Sequence, residues 1–133
     1  MKVLTQPVAG MTATINVVQN EDDVPAFKDF VRRHPRLAFD TEGTDLNVFS
    51  PRYRLRLVQF GHGLESWVLP VERGERYAWL AKATLEHARQ IVCHNLTYDA
   101  LVADRHLGVP LEALYPKGLD TGIFSRLVDS RAA

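Results

Sequence analysis

The sequence predicts an α/β domain: a mixed β-sheet with helices packed against it and a β-hairpin in front. Three observations carry that reading. Short apolar runs bounded by Gly, Pro, Asn or Asp recur up to about residue 70, as strands do. Beyond that point such runs alternate with stretches of helical spacing. The 133 residues, 46% hydrophobic and 24% charged without a low-complexity run, suit one hydrophobic core and not two.

Taken in order, KVLTQPV, AGM and TATINVV read as strand, turn and strand, with Gly10 in the turn. Asp22 and Asp23 open a helix that tolerates Pro25 in its first turn and places Phe27, Phe30 and Val31 at helical spacing. It ends near His34-Pro35. RLAFDTE, YRLRLVQFG and SWVLPV follow as three strands with short connections, which predicts an antiparallel meander. ERYAWLAKATLEHA puts Tyr77, Leu80, Ala81, Leu85 and Ala88 on one helical face. QIVCHN is a short apolar strand, and LTYDALVADRHLG is a helix stopped by Gly108. KGLDTGIFSRLVDS is a brief strand leading into a last helix, and DSRAA is a loose end. The expected division is a hairpin and helix over residues 1–35 ahead of a main unit over 36–133.

Charge narrows the function classes. Sixteen basic and sixteen acidic residues give a formal net charge of zero, so any attraction to nucleic acid or an anionic membrane must be local. No apolar stretch reaches the roughly 20 residues that span a bilayer, and the N-terminus lacks a signal-peptide core. The single Cys93 cannot form an internal disulfide, which agrees with a reducing cytoplasm. The sequon Asn95-Leu96-Thr97 has no consequence there.

The chemistry concentrates where strands end. Side chains alternate faces along a strand, so Asp40 and Glu42 project to one side and Thr41 to the other. Gly43 follows, a residue that permits close approach of a substrate backbone. Two neighbouring carboxylates repel unless a cation sits between them, and oxygen-only ligands suit Mg²⁺ or Mn²⁺ better than zinc. IVCHNLTYDAL is a second apolar strand that ends in polar residues and enters a helix carrying Asp99 in its first turn. If the two strands are parallel neighbours, Asp99 overhangs the edge where Asp40 and Glu42 emerge, and three carboxylates converge. Each part also has an ordinary explanation: a solvated turn for Asp-x-Glu, an N-cap for Asn95, a dipole-complementing acid for Asp99.

Asp-x-Glu after one apolar strand and Asn-x-x-Tyr-Asp after another resemble the first two motifs of the DEDD superfamily of 3′–5′ exonucleases. LRLVQFG, 55–61, is similar to the second strand of the RNase D and family A polymerase proofreading branches. LDTGIFSRLVD, 119–129, resembles the segment where an Asp-Thr pair opens a helix. The likeness covers about residues 36–130 and is most like the proofreading domain of a phage-type family A DNA polymerase. It implies an RNase H-like sheet and two-metal hydrolysis of 3′-terminal nucleotides, with Mg²⁺ or Mn²⁺ bound by Asp40, Glu42 and Asp99 as the catalytic acids. It further implies that Thr41, Leu46 and Asn95 touch the terminal nucleotide. Leu46 would be an apolar wedge, with a plain core leucine as its other reading. The implied partners are a single-stranded DNA 3′ end and a polymerase domain in the same longer chain, in the host cytoplasm.

The pattern breaks at the fourth acid. The superfamily places it in a Tyr-x-x-x-Asp or His-x-x-x-Asp motif, but Asp104 and Asp129 are preceded four residues earlier by Ala100 and Ser125. Asp120 is expected to support structure more than to bind metal. The expectation is therefore an exonuclease domain that is C-terminally incomplete and slow or inactive alone. The alternatives are a non-catalytic module retaining the fold and binding nucleic acid or protein, and an RNase D-like RNA exonuclease. His62, His87, His94 and His106 with Cys93 lack zinc-finger spacing. Cys93 and His94, adjacent on a strand, face opposite ways and make no nucleophile pair. Arg52, Arg54 and Arg56 alternate on one strand face, either tracking a phosphate backbone or forming a solvated surface.

Overall fold

Two positive-φ residues, Ala9 (φ 50) and Gly10 (φ 80), make the tight turn that joins β1 (Lys2–Val8) to β2 (Met11–Val17). In this computed structural model, which describes residues 1–123, the hairpin is the outer part of a seven-stranded sheet. The helix that follows, α1 (Val24–Arg33), is entered through a 3-10 turn, Glu21–Asp23. Asn20 starts that turn by accepting from the Asp22 amide, and Asp23 accepts from the amides of Gln19 and Asn20. The chain then forms the expected meander: β3 (Arg36–Gly43), β4 (Leu55–His62) and β5 (Glu65–Leu69), each antiparallel to the next.

The meander is extended on both sides by parallel pairs. β2 lies along β5. On the other side β6 (Gln90–Cys93) lies along β3, and β7 (Gly118–Asp120) along β6. The order is β1-β2-β5-β4-β3-β6-β7. β7 is three residues long, as short as its sequence suggests.

Helices cover the sheet face that carries Leu37, Phe39, Val58 and Phe60. Phe27 of α1 meets Phe60 at 6.0 Å and Trp67 at 5.9 Å between ring centroids, and Phe39 stacks on Phe60 at 5.5 Å. One continuous core therefore joins α1 to the meander. α2 (Glu75–His87) buries Tyr77, Ala81 and Leu85 as the spacing predicts. Thr84 is also buried, its hydroxyl donating to the Leu80 carbonyl one turn back, and Leu80 is only partly covered.

α3 (Leu96–Val102) continues through one π-helical turn, Ala103–Leu107, and stops at the left-handed Gly108 (φ 70). A short helix, α4 (Leu111–Leu114), was not expected. After it Lys117 reaches back and donates from Nζ to the carbonyls of Leu85, Glu86 and Ala88, satisfying the C-terminus of α2. A helix begins at residues 121–123. The rest of the expected last helix, Asp129 and the DSRAA end lie outside the described residues.

Candidate active site

The alternation of β3 settles where its acids go. Leu37, Phe39 and Thr41 are buried, whereas Asp40 and Glu42 emerge on the opposite, exposed face. That face, with Ala38, Gln59 and Gly61, lines a hollow of about 550 Å³. The pairing of β3 with β4 slips between Glu42 and Gly43, so the strand bends as it leaves the core. Gly43 lies against the side chain of Tyr53. A Cβ there would lie 2.2 Å from the Tyr53 hydroxyl, so Gly43 is required because the Tyr53 side chain packs against it. The Tyr53 hydroxyl is buried and finds no hydrogen-bond partner among the described residues. Burial first, then Tyr98, Asp99 and Glu42 beside it, push its pKa upward.

The second motif arrives from the helix-covered side. β6 runs parallel to β3, Ala38 opposite Val92, so α3 starts beside the end of β3. Asn95 occupies the cap position in a left-handed conformation (φ 64), but its side chain makes no cap bond. Asp120 does that work from β7. Its Oδ1 accepts from the Asn95 amide at 3.1 Å and from Gly122 at 2.8 Å, and its Oδ2 accepts from Leu96 at 3.0 Å. Burial raises the Asp120 pKa, but the amides of Leu96, Gly122, Asn95 and Ile123 together bring it below the usual value. Asp120 thus has a structural role, and the exposed Asn95 side chain makes no hydrogen bond among the described residues.

One turn into α3, Asp99 is 2% exposed and accepts from the Thr41 hydroxyl, 2.9 Å from its Oδ1. Burial is the main cause that pushes its pKa up to about 7, with the charges of Asp40 and Glu42 adding to the rise and the Thr41 hydrogen bond opposing it. The three acids therefore meet at one strand end and feel one another. They are not gathered into a single cage: among the described residues no three His, Cys, Asp or Glu side chains are placed to hold a metal ion. The reason is the strand alternation, which turns Thr41 toward α3 and the two acids away from it. The Thr41 side chain, expected at the terminal nucleotide, is instead buried and spent on Asp99.

Leu46 stands in the loop between β3 and β4 and is 89% exposed, which excludes the core-leucine reading. The loop is ordered by short side-chain-to-backbone turns: Asp45 accepts from the Asn47 amide and Asn47 from Phe49. Val48 and Tyr53 pin it to the core, and His106 Nε2 lies 3.3 Å from the Val48 carbonyl. The arginine stripe does not form as expected. Arg52 and Arg54 fall in the loop before β4, and Arg56 is paired with Glu72 at 3.1 Å. Cys93 is a buried free thiol and His94 is exposed, as their alternation requires.

The described site is a strand-end Asp-x-Glu beside a helix whose buried Asp is tied to the residue between them. A family profile described as 3′–5′ exonuclease matches residues 15–127. The chain belongs to the 3′–5′ exonuclease family. It is 45% identical over 130 residues to the DNA polymerase of Mycobacterium phage D29, a match covering 96% of this chain and 21% of that protein. The DNA polymerase of Mycobacterium phage L5 is 39% identical over 129 residues, covering 96% of this chain and 22% of that protein. The chain thus spans about a fifth of the length of the curated relatives it matches. Among solved structures, Escherichia coli RNase D superposes with a TM-score of 0.64 at 19% identity, over 86% of this chain and 29% of that one. The shared fold is the RNase H-like mixed sheet. No helix among the described residues is long and apolar enough to cross a membrane.

Proposed function

We propose that this chain is the 3′–5′ exonuclease domain of a longer phage-type DNA polymerase, acting on the 3′ end of single-stranded DNA. The observation that carries the reading is the buried Asp99, tied to Thr41 between the exposed Asp40 and Glu42, in a chain whose relatives are phage polymerases. Residues 36–133 carry the chemistry, and residues 1–35 widen the sheet and complete its core.

Carboxylate oxygens are the donor type that suits a hard divalent cation, and Asp40 and Glu42 would have to converge with Asp99 to hold one, since as described the three are not gathered round a single point. All three candidate ligands are carboxylates, and burial first, then the charges of Asp40 and Glu42, raise the pKa of Asp99 to about 7. Asp40, Glu42 and Asp99 would hold Mg²⁺ or Mn²⁺, which when bound supplies an activated water and a Lewis acid for phosphodiester hydrolysis. The remaining roles belong to the protein. Thr41 orients Asp99 through its hydroxyl. Asp120 fixes the N-terminus of α3 and so the depth of Asp99. Leu46 offers an apolar tip to the last base, and Asn95 a free amide to the last nucleotide. The sequence contains no Tyr-x-x-x-Asp or His-x-x-x-Asp, so chemistry by these 133 residues is expected to be slow.

The test is mononucleotide release from 5′-labelled single-stranded DNA with Mn²⁺, using the polymerase chain of full length. Release that persists in Asp40→Ala, or its absence from the full-length chain, removes the proposal. RNA is the second substrate to include because of the fold shared with RNase D. Faster release from RNA than from DNA would move the reading to RNA processing. The host-cell cytoplasm is the proposed location.

A further inference from the structure

Two adjoining hollows, of about 610 and 590 Å³, share Ala78, His106 and Leu107 as lining and so form one groove along α2. Its near end is at the candidate active site: Tyr53 packs on Gly43, and the Arg54 amide donates to Thr44 Oγ1 just beyond Glu42. Its far end lies under Trp79 and Lys82.

The walls are positive although the chain as a whole is neutral. Arg54, Arg73 and Lys82 line the groove without an ion-pair partner among the described residues. Of the other charges in the lining, Glu72 is paired with Arg56 and Arg76 with Glu21, and Glu75 has no ion-pair partner among the described residues. Trp79 is 72% exposed and follows Arg76 and precedes Lys82 by three residues, so all three share one helical face. A tryptophan that open to water, with the unpaired Lys82 one turn on and a groove beside it, is a stacking platform for a base, and the free cations of the groove suit its phosphates.

We propose that this groove holds single-stranded nucleic acid several nucleotides back from the terminus, with a base stacked on Trp79 and the backbone tracked by Arg54, Arg73 and Lys82. The direction of the strand rests on the exonuclease reading above; the binding itself does not.

The chain has two tryptophans, and the other, Trp67, is buried, so quenching of intrinsic fluorescence reports Trp79. The experiment titrates the protein with a thymidine dodecamer in EDTA, where hydrolysis is blocked. Expected are quenching, binding weakened roughly tenfold in Trp79→Ala, and a salt slope lower by about 0.7 in Lys82→Gln. Both sites lie on the helix surface, so the variants keep the fold. Dodecamer affinity unchanged in both variants overturns the groove, while Asp40-dependent cleavage in the same variants leaves the exonuclease reading standing. Conversely, Trp79-dependent binding in a full-length chain that cleaves nothing upholds the groove and sinks the exonuclease reading. Protection of Trp79 from acrylamide in concentrated protein without DNA overturns the proposal in favour of a protein contact.

Discussion

The end of β3 and the first turn of α3 supply acids to the same site by opposite means. Asp40 and Glu42 are set by local geometry: a strand must alternate, and its outward positions remain outward when distant contacts change. Asp99 depends on the rest of the fold. It is buried, held by a hydroxyl from β3, on a helix whose first amides are satisfied by a carboxylate from β7. The exposed pair can be removed without structural loss, whereas the buried acid couples activity to stability.

The largest expected effect breaks this comparison at its exposed side. Asp40→Ala should lower the rate of nucleotide release by about a thousandfold or more, with urea midpoints unchanged; a lowered midpoint would mean Asp40 is a structural residue. The next effect belongs to the buried side. The pKa of Asp99 is raised in the folded state, so the protonated form favours folding. Stability from this group is complete below the unfolded value near 3.8 and is lost as pH rises through about 7. Without divalent ions, unfolding free energy should fall by on the order of 2–4 kcal/mol between pH 4 and 8. Asp99→Asn should flatten that profile, and a wild-type profile already flat would contradict the burial argument.

A third, smaller effect separates packing from chemistry. Gly43→Ala forces a methyl into the Tyr53 side chain and should cost about 1–3 kcal/mol by thermal or urea unfolding; no loss would show that Tyr53 can swing away. The smallest concerns Leu46. Leu46→Ala should change stability by no more than about 0.5 kcal/mol while lowering exonuclease rate severalfold, and an unchanged rate would dismiss the wedge.

What could be read in the sequence follows the same line. The hairpin, the meander, α2 and the alternation of Asp40 and Glu42 are written in short-range patterns, and so they appear where expected. The parallel placement of β6 beside β3 was inferable from the paired motifs. The cap of α3 was not: Asn95 is a good cap by residue type, yet the bond comes from Asp120, 24 positions beyond Leu96. Nothing local distinguishes an acid that caps a distant helix from one that binds a cation. Tyr53 was equally hidden, because its partner is the missing side chain of Gly43. The arginine stripe failed because β4 starts at Leu55, after two of its three members.

The stretch from Lys117 to Asp120 closes α2 at one end and opens α3 at the other. It behaves like a clasp, since one short segment completes the ends of two helices that both precede it in the chain. A nascent or proteolysed chain lacking those four residues would keep Asp40, Glu42 and Asp99 and still lose the cap that sets the depth of Asp99. Amide exchange in the first turn of α3 should therefore report the docking of a strand the helix does not touch in sequence.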